Sequence, residues 1–377
     1  MTTFPPGPSA PSRAANKARD HAWTCRPAPG TVQDFHESLP GYAPTRLVAL
    51  PGLARAFGVA RVYAKDESER LGLPAFKALG ASWAIHQVLR ERAPTGPLTF
   101  VTATDGNHGR AVARFARRFG HRCAIFVPDG VHPAATQAIR GEGASVTHIP
   151  GSYNAAVQAA ARAARASAGE AVLVQDMAWD GYEEIPGWIV DGYTTLFTEI
   201  DDQLHDQRIA RPDLLVVPAG VGSLLQAALT HYRSGHTPPG TAVISVEPQS
   251  AACVLASVIA GRPVTVATGV TSMAGLNCGT VSSLAWPYIH RGLDACVAVS
   301  DAEAAAAARE LAEHGVHAGP CGAAALAALH AIGDSDGAGA GLPWAARGLT
   351  PASTVVLLVT EGTAANPGLS GTTPPAE

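Results

Sequence analysis

The sequence predicts an α/β protein with mostly parallel sheets and helices on both faces. Two observations carry this. Short runs that are apolar throughout, such as residues 214–217 and 355–359, read as strands buried on both faces, the pattern of a parallel sheet. These runs alternate with alanine-rich helical stretches along most of the chain, which argues for crossover connections between parallel strands. No internal repeat interrupts the pattern. A length of 377 residues is enough for two domains, or two lobes of one enzyme.

The strand candidates fall in order at residues 61–64, 100–103, 124–127, 145–149, 172–174, 214–217, 243–246, 296–299 and 354–359. The run ending at Ala103 leads into Thr-Asp-Gly-Asn-His-Gly-Arg and then a helical pattern over 111–119. The run ending at Val217 leads into a glycine-rich turn that opens another helix. Residues 1–20 are rich in Pro, Ala and Ser and are expected to be a loose arm. Residues 333–348 read as a Gly/Ala/Asp-rich loop before the last strand, and 366–377 as a frayed tail.

Composition narrows the function. A hydrophobic share of 47% with only 6% aromatics predicts a sizeable core whose helices pack on small side chains. The net charge of −4, with no basic block, argues against nucleic acid as a partner. No run of apolar residues is long enough for a membrane span. The first residues, MTTFPPGPSAPSR, lack the apolar segment of a secretory signal. The six cysteines (Cys25, Cys123, Cys253, Cys278, Cys296, Cys321) show no CxxC spacing, which argues against a zinc site and fits a reducing cytoplasm; no metal is expected.

Two segments carry chemistry. In KDESERLGLPAFKALGA, Lys77 stands among Ala75, Phe76, Ala78, Leu79 and Gly80. An amine in such surroundings is poorly solvated, which favours its neutral, nucleophilic form. Alone, Ala-Phe-Lys-Ala reads more readily as the start of a surface helix. The second segment, Thr104 to Arg110, places polar groups at the carboxyl end of a strand and the amino end of a helix, where open α/β sheets bind ligands.

Taken together, AFKALGAS and TDGNHGR resemble the fold type II, or tryptophan synthase β-like, family of pyridoxal-phosphate enzymes. That family also includes serine and threonine dehydratases and cysteine synthase. Within it the pattern is most like that of the diaminopropionate ammonia-lyases. The likeness continues through GYAPT at 41–45, QDMAWDGY at 175–182, AGVG at 219–222, MAGL at 273–276 and TEG at 360–362. It runs in order over roughly residues 40 to 365.

The resemblance implies two lobes with the cofactor between them. The large lobe would comprise 21–79 and 188–365, the small lobe 80–187. It implies Lys77 as the Schiff-base lysine, with Phe76 beside it, and Asn107 as a donor to the cofactor's phenolate oxygen. Asn107 could also be a simple turn residue, and His108 is as readily structural as functional. Ala219, Gly220, Val221, Gly222 and Ser223 would form the phosphate cup, since glycines and a helix amino end favour an anion. A nicotinamide site is the weaker reading there, because the full GxGxxG is missing and only Glu247 offers a ribose-binding acid. Thr360 is the neutral group expected beside the pyridine nitrogen, with Cys321 as the alternative. Asp105 and Asp176 are the expected carboxylates, able to move a proton or to bind a substrate ammonium; the alternatives are a turn aspartate at 105 and a helix-capping aspartate at 176. Ser82, His108 and Tyr182 complete the expected substrate contacts.

Three departures from the ammonia-lyase pattern concern Pro74 before the lysine, a short stretch after Arg90, and Pro320-Cys321, where an acidic residue is usual. The last predicts a missing acid near the cofactor. The implied activity is α,β-elimination on a β-substituted amino acid, most simply 2,3-diaminopropionate, in a cytoplasmic homodimer. β-Replacement, a serine or threonine dehydratase-like reaction, and a catalytically silent binding protein are the alternatives.

Overall fold

The computed structural model describes residues 11–104, 106–167, 169–235, 240–333 and 349–366. The apolar runs become the strands of two sheets. The elements follow in chain order as β1 (Arg13–Ala15), α1 (Thr31–Ser38), β2 (Arg46–Ala49), α2 (Pro51–Ala56), β3 (Arg61–Asp66) and α3 (Lys77–Arg92). Then come β4 (Thr99–Ala103), α4 (Asn107–Arg118), β5 (Arg122–Pro128), α5 (Pro133–Gly141), β6 (Ser145–Ile149), α6 (Tyr153–Ala166) and β7 (Ala171–Leu173). The long α7 (Glu184–His205) leads back to β8 (Leu214–Pro218), α8 (Ser223–Arg233), β9 (Ala242–Pro248), α9 (Cys253–Ala260) and α10 (Ala285–Gly292). The chain closes with β10 (Ala295–Val299), α11 (Asp301–Glu313), α12 (Pro320–Gly333) and β11 (Thr354–Val359).

The larger sheet has seven strands in the order β1-β10-β9-β8-β11-β3-β2. Its inner five are parallel, and only the edge strands β1 and β2 run antiparallel. The second sheet, β6-β5-β4-β7, is parallel throughout. Burial on both faces explains the unbroken apolar runs. Leu215, Val217, Val356 and Leu358 pack in one core with α7 and α8, while Leu214, Val216, Val355 and Leu357 face α12. Helix α12, with alanine at half of its buried positions, lies against β8, β9, β10 and β11, as the low aromatic content predicts.

The expectation of a loose arm through residue 20 fails for residues 11–20. Arg13–Ala15 adds to the open edge of β10, and the buried Asn16 side chain donates to the carbonyls of Ile289, His290 and Leu293. An unpaired strand edge recruits backbone whatever the side chains, so composition gave no warning. The loop at 334–348 and the tail from 367 lie outside the described residues.

A buried ionic network fixes the segment between β3 and α3. Arg70 binds Glu67 at 2.6 Å and Glu199 of α7 at 2.5 Å, and Lys65 of β3 binds Glu199 at 2.7 Å. Helix α3 then packs on α7 at two glycines. A Cβ on Gly192 would lie 2.7 Å from the Leu79 carbonyl oxygen, and one on Gly80 would lie 2.5 Å from the Tyr193 ring. This close approach sets the position of the first turn of α3, where Lys77 stands.

Candidate active site

Five parts of the cleft follow the carboxyl ends of parallel strands: Lys77 after β3, Asn107 after β4, Asp176 after β7, the 219–223 turn after β8 and Thr360 after β11. The two sheets thus bring their ligand-binding edges to one cleft.

Lys77 is the first residue of α3. The segment before it is pinned to the end of β11: Gly362 N–H donates to the Pro74 carbonyl at 3.0 Å, and Phe76 N–H to the Thr360 carbonyl at 3.2 Å. Pro74 fits here because its carbonyl is used and its missing N–H is not needed. Lys77 Nζ donates to Asp176 Oδ2 at 2.6 Å and lies 5.2 Å from the Phe76 ring centre and 5.8 Å from that of Tyr193. Burial acts to depress the Lys77 amine, but the Asp176 charge outweighs it and holds the amine above its ordinary value. Burial acts to raise Asp176, but the Lys77 charge and hydrogen bond hold it below the carboxylate range. The neutral amine expected from an apolar sequence context is therefore corrected: here Lys77 is a protonated partner of Asp176.

Asp176 is held from two sides. The Gln175 side chain accepts from Ala103 N–H at 3.0 Å and from the Thr102 hydroxyl at 2.9 Å, fixing the chain beyond β7 to β4. Ser223 donates its hydroxyl to the Asp176 carbonyl at 2.6 Å. His108 is buried with Nε2 2.7 Å from the Val174 carbonyl, so Nε2 carries the hydrogen and Nδ1 is an acceptor. Nδ1 lies 3.9 Å from Asp176 Oδ2 and has no hydrogen-bond partner among the described residues. Burial holds the ring below its ordinary pKa and hence neutral.

The turn after β8 has Gly222 at φ +96°, a left-handed conformation that favours glycine, immediately before α8. Ala219, Gly220, Val221, Gly222 and Ser223 all line the cleft. The first-turn N–H groups of a helix have no intrahelical acceptors and carry its positive end. Thr360 is buried, and its Oγ1 has no partner among the described residues. Cys321 is engaged elsewhere, its backbone N–H donating to Glu361 Oε1 at 3.3 Å and its thiol hydrogen-bonded to the same carboxyl. This favours Thr360 over Cys321 as the neutral group available to a ligand.

Two expected substrate contacts do not reach the cleft. Ser82 is fully buried within α3, where it donates to the Leu79 carbonyl at 3.0 Å and meets His36 at 3.2 Å. Helix α3 starts at Lys77, so Ser82 lies in its second turn rather than at its amino end. The Tyr182 hydroxyl is committed to backbone, accepting from Gln175 N–H at 2.8 Å and donating to the Leu173 carbonyl at 2.9 Å. Asp105 lies outside the described residues.

The expected lack of an acid beside Cys321 is also corrected, because Glu361 is buried in the cleft wall. It accepts from Asn107 Nδ2 at 2.7 Å and from Asn366 Nδ2 at 2.6 Å, and burial raises its pKa against these donors. A charged residue two positions beyond the apolar run Val355–Val359 was the sequence signal for it. Tyr153, Asn277 and Cys278 also line the cleft and had no such signal.

Known proteins match this arrangement. The family pattern described as pyridoxal-phosphate dependent enzyme matches residues 39–360. The chain is 36% identical over 296 residues to diaminopropionate ammonia-lyase of Escherichia coli K12, covering 74% of each. It is 37% identical over 297 residues to the enzyme of the same name from Salmonella typhimurium, covering 73% of each. The crystal structure of the Escherichia coli diaminopropionate ammonia-lyase with its aminoacrylate–PLP azomethine intermediate matches with a TM-score of 0.85 at 31% identity, over 93% of this chain and 94% of that one. With a family pattern that spans the smaller sheet, six strands of the larger one and the cleft from Lys77 to Thr360, the chain belongs to the pyridoxal-phosphate-dependent enzymes.

Proposed function

We propose that this chain is an ammonia-lyase that uses pyridoxal phosphate for α,β-elimination on 2,3-diaminopropionate, giving pyruvate and ammonia. The observation that carries the reading is the Lys77–Asp176 pair at 2.6 Å, in a cleft shared with Asn107, the 219–223 turn and Thr360.

The residues present fit the cofactor. Thr360 offers a buried hydroxyl without a partner among the described residues, of the kind that meets a neutral ring nitrogen. Residues 219–223 offer backbone N–H groups at the positive end of α8 to a phosphate. Asn107 and Phe76 border the same space. When bound, pyridoxal phosphate supplies the electron sink that makes a substrate α proton acidic.

The chain's own groups then handle protons and charge. Lys77 moves a proton at the substrate α carbon once its own proton has passed to another group. Asp176 orients the amine and can receive that proton or hold a substrate ammonium. Neutral His108 presents an Nδ1 lone pair beside Asp176, a second acceptor for an ammonium. Asp105 is assigned as the other carboxylate from its place in the sequence. Ser82 and Tyr182 support the fold around the cleft rather than the substrate.

The lobe limits proposed are 21–79 with 188–365, and 80–187. All four strands of the second sheet fall within the latter range, which supports the division. We also infer a homodimer in the cytoplasm. All six cysteines are free thiols, in keeping with a reducing compartment, and no helix among the described residues is long and apolar enough to cross a membrane. Light scattering on the purified protein tests the dimer.

The activity is tested by an absorbance spectrum before and after adding L- and then D-2,3-diaminopropionate, with pyruvate assayed in parallel. A visible band that shifts, with pyruvate formed, is the expected result. A band without pyruvate from either isomer overturns the substrate assignment, and no band after adding pyridoxal phosphate overturns the cofactor. A new amino acid formed when a thiol is supplied marks β-replacement instead.

A further inference from the structure

Glu361 is a buried carboxyl that the reaction above does not use. It follows β11 in the larger sheet, whereas Asn107 opens α4 after β4 in the smaller one. The hydrogen bond from Asn107 Nδ2 to Glu361 Oε2, at 2.7 Å, joins residues 254 apart in sequence and spans the two sheets. Glu361 is itself held firmly, for Oε1 accepts from Asn366 Nδ2 at 2.6 Å and from Cys321 N–H at 3.3 Å. Gly319 permits this closeness, since a Cβ there would lie 2.9 Å from Oε1 and 3.1 Å from Asn366 Nδ2.

We propose that Glu361 is a positioning residue that fixes which way the Asn107 carboxamide faces. The inference rests on the cofactor reading above and deepens it. A carboxamide has a donor end and an acceptor end of nearly equal size, and nothing in its shape prevents it from turning over. An ionised carboxylate offers only acceptors, so it engages the Nδ2 end and repels Oδ1. One N–H of Nδ2 is consumed by Glu361 and the second is left for the cleft. The phenolate oxygen of pyridoxal phosphate needs such a donor and is repelled by an amide oxygen. Glu361 therefore acts on the cofactor through Asn107.

Replacing Glu361 by glutamine tests this without removing bulk. Two donors, Asn366 Nδ2 and Cys321 N–H, meet Oε1, so the glutamine carbonyl takes that side and its NH2 faces Asn107. Asn107 then has to turn its oxygen toward that NH2, and the donor end moves. Glu361→Gln, Asn107→Ala and the double variant are compared by equilibrium dialysis of pyridoxal phosphate and by the visible band of the loaded protein. E361Q is expected to weaken cofactor retention about tenfold, the loss of one charge-assisted hydrogen bond, and to shift the band. In the N107A background the same change is expected to add less than about twofold, since residues acting through one another are non-additive.

Losses that multiply in the double variant overturn the proposal, because Glu361 then acts independently of Asn107. Unchanged retention and an unchanged band in E361Q overturn it as well. Asn366→Ala removes one donor that holds Glu361 and carries the same comparison if the glutamine variant does not fold. A wild-type protein that binds no pyridoxal phosphate overturns both this inference and the cofactor reading. Binding with multiplicative losses overturns this inference alone.

Discussion

Lys77 and Asp176 stand 99 residues apart in sequence and form one ion pair, Nζ to Oδ2 at 2.6 Å, across the cleft between the two sheets. Each partner holds the other charged against the effect of burial. The raised lysine contributes stability that is present below its ordinary range and lost as pH rises through its folded value. The lowered aspartate contributes stability present above its ordinary range and lost as pH falls through its folded value. The pair therefore stabilises the cofactor-free protein across the whole neutral region.

Asp176→Asn separates these roles. With the carboxylate gone, the largest influence opposing burial at the Lys77 amine is removed, and its proton affinity should fall from its raised folded value. In the cofactor-free protein, Lys77 should then react with an acylating reagent at a lower pH than in the wild type, as read by peptide mass spectrometry. Turnover of diaminopropionate should fall about 10²- to 10⁴-fold, the range for losing a positioned acid or base. A loss below about tenfold, with Lys77 reactivity unchanged, would rule out this role for Asp176.

The Thr360 hydroxyl leads to effects of opposite sign on stability and on cofactor binding. It is buried with no partner among the described residues, and a donor left in that state is destabilising. Thr360→Val keeps the shape and removes the hydroxyl. The cofactor-free variant should be more stable than the wild type by about 1 kcal/mol in urea titration. Retention of pyridoxal phosphate should weaken by about tenfold. Equal losses in both measurements would mean that the hydroxyl serves the fold and not the ring.

Several of these relationships could be read from the chain and others could not. Runs such as Leu214–Pro218 and Val355–Val359 are apolar throughout because both faces are covered, and that is a local pattern. Lys77, Asn107 and the glycines at 220 and 222 sit at strand-to-helix junctions, which order along the sequence also marks. The charge state of Lys77 was not legible, since it depends on a partner 99 residues away. Ser82 and Tyr182 were misplaced because motif proximity says nothing of which face of a helix or turn a side chain takes. The role of Arg13–Ala15 depends on the free edge of β10, formed some 280 residues later. Glu361 stood inside a recognised motif, but its partners Asn107 and Asn366 meet it only in the fold.

The ionic network behind the lysine segment should govern stability. Glu199 is buried, and although burial acts to raise its pKa, Arg70 and Lys65 hold it near 2. Glu199→Ala leaves Arg70 with Glu67 and leaves Lys65 buried without a carboxylate partner within hydrogen-bond distance. Breaking one partner of a buried network costs about 3–5 kcal/mol. The variant should show that loss in urea titration at neutral pH, with a smaller difference in acid, since a lowered carboxylate stabilises above its ordinary range and ceases to as pH falls toward its folded value. A loss within about 0.5 kcal/mol would show that the network contributes little net stability.

Glu247 predicts the opposite pH trend. It accepts from the backbone N–H groups of Val254 at 2.7 Å and Leu255 at 2.8 Å, at the start of α9, yet lies fully buried with no cation beside it among the described residues. Burial pushes its pKa from 4.5 up to about 8, against those two donors. The folded protein therefore holds a proton that the unfolded chain has released between about pH 4.5 and 8. Bound protons exceed those of the unfolded state in that interval, so stability should decline as pH rises through it. Above about 8 both states are ionised and this contribution levels off. Glu247→Gln mimics the protonated carboxyl and cannot ionise. Melting temperatures measured from pH 5 to 9 in the cofactor-free proteins should fall more steeply for the wild type than for E247Q. Parallel curves would show that Glu247 is ionised in the fold throughout, its charge carried by the amino end of α9.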